Sequence, residues 1–181
     1  MDSTRGQLLI ASPGLIDPNF WRTVVLVVEH TDEGAFGLVL NRPSDSNAKE
    51  TAAMLAELLE DKEPLFIGGP VQPSSLIVLG EFEDAGDAAL LAFDDVGVLG
   101  ASDSIESAAA GLRRARAFAG HSGWGPGQLD GELERGDWIL EPARLDDAFT
   151  SDASGMWSSV LTRKGGSYAL VARMPADPSV N

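Results

Sequence analysis

Between Phe20 and Pro43 the chain reads FWRTVVLVVEHTDEGAFGLVLNRP. Two apolar runs, Val24–Val28 and Ala35–Leu40, flank His30-Thr31-Asp32-Glu33-Gly34, which has the composition of a turn. Two β-rich runs joined by a short glycine-containing loop predict a hairpin. Both runs are nearly continuous rather than alternating, so the hairpin is expected to be buried on both faces. Polar residues gather at its ends: Asp17, Arg22, Glu29, His30, Asn41 and Arg42. An apolar centre with charged ends makes it the expected organising element.

The same reading extends along the chain. Gln7–Ser12 predicts a strand closed by the turn Ser12-Pro13-Gly14, and Asp17-Pro18-Asn19 a loop. Ser44–Asn47 reads as polar loop and helix cap. Lys49–Glu60 follows, with Ala52, Leu55, Ala56, Leu58 and Leu59 at the spacing of an amphipathic helix. Pro64–Ile67 leads into a bend at Gly68-Gly69-Pro70. Ser75–Gly80, Ala88–Phe93 and Val96–Leu99 predict strands, the first two separated by the acidic loop Glu81–Asp87. Asp103, three residues before Glu106, predicts a helix start. The alternation RARAFA at Arg114–Ala119 predicts a strand with its arginines toward water or a ligand. His121–Gly127, HSGWGPG, is rich in turn residues, and Gln128–Arg135 reads as a short helix stopped at Gly136. Trp138–Leu140 predicts a strand, Ser151 or Asp152 caps a helix running through Leu161, and Tyr168–Ala172 reads as a last strand. Residues 1–174 form a single expected domain, without repeats or linkers, and Pro175–Asn181 an expected mobile tail.

Composition narrows the functional classes. The 181 residues are 44% hydrophobic and 23% charged, as in an ordinary globular protein with one sizeable core. The absence of cysteine removes disulfides, cysteine-ligated zinc, iron–sulfur clusters and cysteine nucleophiles together, and fits a reducing compartment. The N-terminus has no basic region ahead of its short apolar run, and no run approaches the ~18 residues of a membrane span. The expected location is therefore the cytoplasm, with no membrane partner. A net charge of −15 repels phosphate backbones and disfavours direct nucleic-acid binding. The one dense basic cluster, Arg113-Arg114-Ala115-Arg116, is too short for a binding stripe.

Four features could carry chemistry. The glycine-rich stretch Gly120–Gly127 lies between a predicted strand and a predicted helix, a place where backbone N–H groups can face an anion. Its spacing matches neither the dinucleotide nor the P-loop pattern, it holds no lysine, and the following helix carries Asp130, Glu132 and Glu134. The competing reading is a tight chain crossing anchored by Trp124. A nucleophile elbow would need glycine at position 124, which is tryptophan. The two histidines, His30 and His121, could share a metal with Glu29 or Asp17 only if their strand ends meet, and no metal-ligand spacing is present. Asn41-Arg42-Pro43 places an arginine fork on a rigid strand end, suited to a carboxylate or phosphate. An ion pair with Asp17 or Glu29 is the structural alternative. The four tryptophans, at 21, 124, 138 and 157, read as core or interface material.

Several segments together resemble the YqgE/AlgH family of bacterial proteins. They are Leu9-Ile10-Ala11-Ser12-Pro13, Asp17-Pro18 with Phe20, Arg22-Thr23-Val24-Val25, Glu29-His30, and Gly34-Ala35 followed by Gly37 through Pro43. Gly68-Gly69-Pro70-Val71 follows, then Gly120 through Trp124, Pro126 through Leu129, Glu132 and Trp138. The resemblance covers most of residues 7–160 and is weakest after Leu161. Where the family commonly has Tyr or His and then Ala, this chain has His121-Ser122, and it has Asp130 where Glu is common. A Tyr/His alternation argues against an obligatory catalytic imidazole at 121.

The resemblance implies an α+β (mixed α/β) single domain, its strongly bent, partly bifurcated β-sheet forming a pseudo-barrel flanked by helices. It implies no established activity, although family members are often labelled transcriptional regulators. The expected function is a non-enzymatic, cytoplasmic binding or regulatory protein acting through a small anionic ligand or a protein partner. Its candidate site is a rim of Arg22, His30, Asn41, Arg42, His121, Ser122, Gly123 and Trp124. No catalytic residue, metal ligand or cofactor is assigned. The alternatives are a transcriptional regulator acting indirectly, and a hydrolytic or metal-dependent enzyme using His30 or His121.

Overall fold

The structure is a computed structural model that describes residues 2–100 and 109–176. The predicted hairpin is formed by β2 (Val24–Thr31) and β3 (Gly34–Val39), antiparallel with Leu26 opposite Leu38 and a bulge between Val27 and Glu29. Its alternate residues enter two different cores. Val24, Leu26, Val28, Leu38 and Leu40 face one cluster, while Val25, Val27 and Val39 face another. Burial on both faces therefore explains the continuous apolar runs. β1 (Gln7–Ala11) pairs with β2 on one side and with β10 (Trp138–Pro142) on the other, both antiparallel.

Ten strands among the described residues make one curved, unclosed, mostly antiparallel sheet. Its hub is β9 (Leu112–Trp124), thirteen residues long. Along one edge β9 pairs with β6 (Val71–Phe82), and β6 continues to β8 (Val96–Val98) and β7 (Leu90–Phe93). The other edge is divided. Phe118 and Ala119 pair in parallel with β5 (Pro64–Ile67), and Ser122–Trp124 pair antiparallel with β3. The fork is the expected bifurcation. It needs glycine, because a Cβ at Gly68 would stand 2.3 Å from the Gly120 carbonyl oxygen and one at Gly69 2.2 Å from that of His121.

The structure corrects several local expectations. His121–Trp124 is strand rather than turn, so the turn is confined to Gly125–Gly127. Ser44–Asn47 belongs to β4 (Pro43–Asn47), which pairs with β5. Asn47 does cap the following helix, accepting from Glu50 N. β6 starts earlier than Ser75 and takes in Glu81 and Phe82 from the expected acidic loop.

The Lys49–Glu60 helix is broken into α1 (Ala48–Thr51), a 3₁₀ turn at Ala53–Leu55 and further turns. Asn47 must pair with Pro64, and the Asn47 amide donates to the Asp61 carbonyl at 2.8 Å. An unbroken twelve-residue helix would run about 18 Å from its start. Three further residues could return only about 10 Å. The apolar face survives the break, since Ala48, Ala52, Leu55 and Leu59 all pack into a third cluster with Val78, Phe82 and Ala117.

The expected last strand is α5 (Ser167–Val171). Tyr168, Val171 and Ala172, at helical spacing, turn toward the main core beside α4 (Met156–Lys164). The short helices α2 (Gln128–Glu134) and α3 (Leu145–Ala148) and a 3₁₀ turn at Ala85–Asp87 complete the described elements, and Gly136 follows α2 with φ 78°. The helix expected from Asp103 begins within 101–108, outside the described residues, and Leu112, expected to follow on it, is instead the first residue of β9. Among the described residues no helix is long and apolar enough to cross a membrane.

Candidate functional site

The hairpin end at Asn41 and Arg42 is built by side chains that bind backbone. Asn41 Oδ1 accepts from Val24 N at 3.0 Å while its Nδ2 donates to the Arg22 carbonyl at 2.9 Å, which locks the mouth of the hairpin. Arg22 sits there with φ 53°, a left-handed conformation rare outside glycine. The Arg42 guanidinium donates to the carbonyls of Trp21 at 2.7 Å and Pro18 at 3.4 Å, so it holds the loop before β2. The expected ion pair of Arg42 with Asp17 or Glu29 is not formed. Arg22 donates to the Met174 carbonyl, and its guanidinium carbon lies 4.2 Å from the Trp157 ring centroid and 5.6 Å from that of Trp21. Trp157 is itself fixed by a hydrogen bond from its indole to the Ala11 carbonyl at 2.9 Å.

These groups line an open groove of about 730 Å³ between the loop Ile16–Trp21, Asn41-Arg42 and the start of α4. Neither arginine forms an ion pair among the described residues, in a chain with 28 acidic residues. Each guanidinium has five N–H donors, and the backbone carbonyls use two on Arg42 and one on Arg22.

The remaining predicted residues lie elsewhere. Ser122–Trp124 pairs with Ala35–Gly37, toward the turn end of β3, opposite to the Asn41 end. Ser122 Oγ donates to the Gly68 carbonyl at 3.1 Å and the His121 ring packs on Phe36 at 4.9 Å. Gly123 is exposed, and the stretch around it is occupied by the chain crossing at Gly68, Gly69 and Gly120. Trp124 stacks with Phe20 and meets Trp138 edge-to-face, and the two indoles both donate to Glu132 Oε2 at 2.8 Å.

His30 is buried near the turn of the hairpin. Its Nδ1 accepts from Thr4 N at 3.1 Å and meets Thr4 Oγ1 at 2.9 Å, leaving Nε2 3.6 Å from Asp130 Oδ1. An Nδ1 already occupied by a backbone donor is not available as a base. The two imidazoles are on β2 and β9, separated by β3. No group of three or more His, Asp or Glu among the described residues could hold a metal.

A second groove, of about 580 Å³, lies beside the first and shares Ala153 with it. Arg116, expected to face water or a ligand, is buried there. It donates to Glu63 Oε1 at 3.1 Å and to the Thr150 carbonyl at 2.6 Å, over the Phe66 ring at 4.5 Å. Burial holds its guanidinium below the usual arginine range, and the Glu63 charge opposes that shift. Neither Trp157 nor Arg116 stood out in the sequence as a groove residue. Trp157 reads as core or interface material, and within Arg113-Arg114-Ala115-Arg116 nothing marks Arg116 as the arginine that turns inward.

Comparison with known proteins agrees with this architecture. The family profile described as AlgH-like (DUF179) matches residues 8–169. A UPF0301 protein from Thermobifida fusca is 40% identical over 99% of this chain and 96% of its own, and one from Chlorobium limicola is 38% identical over 97% and 95%. A crystal structure of a Corynebacterium diphtheriae protein superposes with a TM-score of 0.85 at 26% identity, covering 95% of this chain and 93% of that one. The solution structure of the AlgH protein from Pseudomonas aeruginosa superposes with a TM-score of 0.70 at 29% identity, covering 97% and 96%. The chain therefore belongs to the AlgH-like, UPF0301 family.

Proposed function

We propose that this chain is a non-enzymatic cytoplasmic binding protein whose Arg22–Arg42 groove receives the anionic group of a small ligand or a protein partner. One observation carries the reading: among the described residues, two guanidinium groups share an open groove without a carboxylate partner, in a chain of net charge −15. A strongly acidic surface ordinarily neutralises its arginines. Arg22 is stacked on tryptophan and Arg42 is fixed by two carbonyls, so both forks are preorganised and lose little freedom on meeting an anion. Within the predicted rim this reading keeps Arg22, Asn41 and Arg42. His30 and the His121–Trp124 stretch serve the fold.

The test is a thermal-shift series with citrate and with pyrophosphate. At a hundredfold excess over Kd, an anion that binds only the folded chain stabilises it by about 2.7 kcal/mol. That corresponds to a rise in Tm of about 5–10 °C for a domain of this size. Ser158→Glu places a carboxylate in the groove without removing either arginine, and abolishes the shift. Absence of a shift with both anions, or an equal shift in Ser158→Glu, overturns the reading.

A further inference from the structure

We propose that the two adjoining grooves form one trench for an extended peptide segment of a partner protein. An acidic side chain would sit on Arg22 and Arg42, and a bulky apolar side chain, a few residues away, against Pro43, Leu58 and Pro64. This inference rests on the anion-binding reading above.

The grooves adjoin at Ala153, which lines both. Arg42 lines the first and the next residue, Pro43, lines the second. On the opposite wall one stretch of chain, Phe149 to Ser158, borders both, and Ala153 stands at the junction. The volumes, about 730 and about 580 Å³, each suit a small molecule, but together they exceed the roughly 1,000 Å³ upper end of such sites.

The chemistry differs between the two halves. In the first, Arg22 and Arg42 face no carboxylate among the described lining residues. In the second, Glu60 and Glu63 offset the basic residues, and Arg116 is already paired with Glu63. Arg116 covers the buried Phe66 ring and Arg114 lies 5.8 Å from the Phe149 ring centroid, so the apolar wall left open there is Pro43, Leu58 and Pro64. Recognition in the first half is by charge and in the second by apolar contact. At the rim of the first half Ile16 is 79% exposed and Trp21 39% exposed. Tryptophan and arginine in one patch are the residue types that dominate protein interfaces. A peptide places carboxylate and apolar side chains at independent positions along one strand. A nucleic acid places a phosphate at every step, against Glu60, Glu63 and the overall acidity of the chain.

The experiment pans a phage-displayed random dodecapeptide library on the full chain. A synthetic, fluorescein-labelled copy of the leading peptide is then measured by anisotropy. Enriched peptides are expected to carry an acidic residue and a bulky apolar residue within a few positions. Leu58→Glu charges the second groove and Ser151→Arg crowds it from an exposed position, and neither residue lines the first groove. Each weakens the labelled peptide at least tenfold while the citrate shift persists. Failure of enrichment, enrichment without acidic residues, affinity unchanged in both variants, or equal or tighter binding of a labelled oligothymidylate overturns the trench. In those outcomes a retained citrate shift leaves the anion groove standing. Loss of that shift in the parent protein removes the anion reading itself.

Discussion

Replacing Glu132 with leucine takes away the acceptor that Trp124 and Trp138 share. Both indole nitrogens donate to Glu132 Oε2 at 2.8 Å, and Gln128 Nε2 donates to Oε1 at 3.1 Å. The two tryptophans are 6% and 5% exposed, so water cannot readily replace the carboxylate. A hydrogen bond to a charged group is worth about 1.5–3 kcal/mol. Glu132 itself is half-buried, which places each bond at the lower end, and Glu132→Leu is expected to cost about 3 kcal/mol for the two indoles. That lowers Tm by about 6–12 °C. Glu132→Gln retains an oxygen acceptor and costs about 1 kcal/mol. The assay is urea unfolding followed by far-UV circular dichroism, since the fluorescence of these indoles would change without unfolding. A double-mutant cycle with Trp138→Phe isolates one N–H, and the pair should couple by about 1 kcal/mol. A loss below about 0.5 kcal/mol in Glu132→Leu, or strict additivity in the cycle, refutes the shared-acceptor account.

Three further outcomes follow from the geometry. Gly69→Ala sets a Cβ 2.2 Å from the His121 carbonyl oxygen at φ 153° and is expected to cost over about 4 kcal/mol or prevent folding, whereas Gly127→Ala, in open space at φ 71°, costs about 1 kcal/mol, both read by urea unfolding. Glu63→Gln leaves the Arg116 charge buried without its partner and is expected to cost about 3 kcal/mol, most of it recovered in the Glu63→Gln, Arg116→Met double variant. The Asp61 carboxyl is held below the usual carboxylate range by the hydrogen bond from Lys49 and then by its charge. Lys49→Ala raises it in an NMR titration, and the stability difference between parent and variant, present at neutral pH, closes as pH falls through the lowered value.

The parts of the fold that could be read from the chain are those where local pattern and tertiary demand coincide. Continuous valine and leucine in β2 and β3 are what burial against two clusters requires. Gly136 ends α2 where its own backbone conformation allows. The errors occur where a distant partner overrides a local preference. Closure of β4 on β5 breaks the 49–60 helix. The crossing of β5 on β9 uses glycines that otherwise look like turn residues, so half of the hub strand was hidden. Tyr168–Ala172 carries an apolar pattern short enough for either strand or helix, and contact with the main core beside α4 decides for helix.

Family membership was legible in the order and spacing of motifs across residues 7–160. The hydrophobic pattern and composition by themselves determined a cysteine-free chain of mixed α and β type, built on a doubly buried hairpin with polar groups at both ends. Those properties depend on residue type and on neighbours within a few positions. Only the tertiary structure brought Arg22 and Arg42 together in one groove at the Asn41 end. The stacking of Arg22 on Trp157 and the junction at Ala153 join residues more than a hundred positions apart. The same packing turned Arg116 inward onto Glu63 and gave the glycines at 68, 69 and 120 to a backbone crossing. Direction and proximity of this kind are set by how the sheet bends, and no short stretch of sequence encodes them.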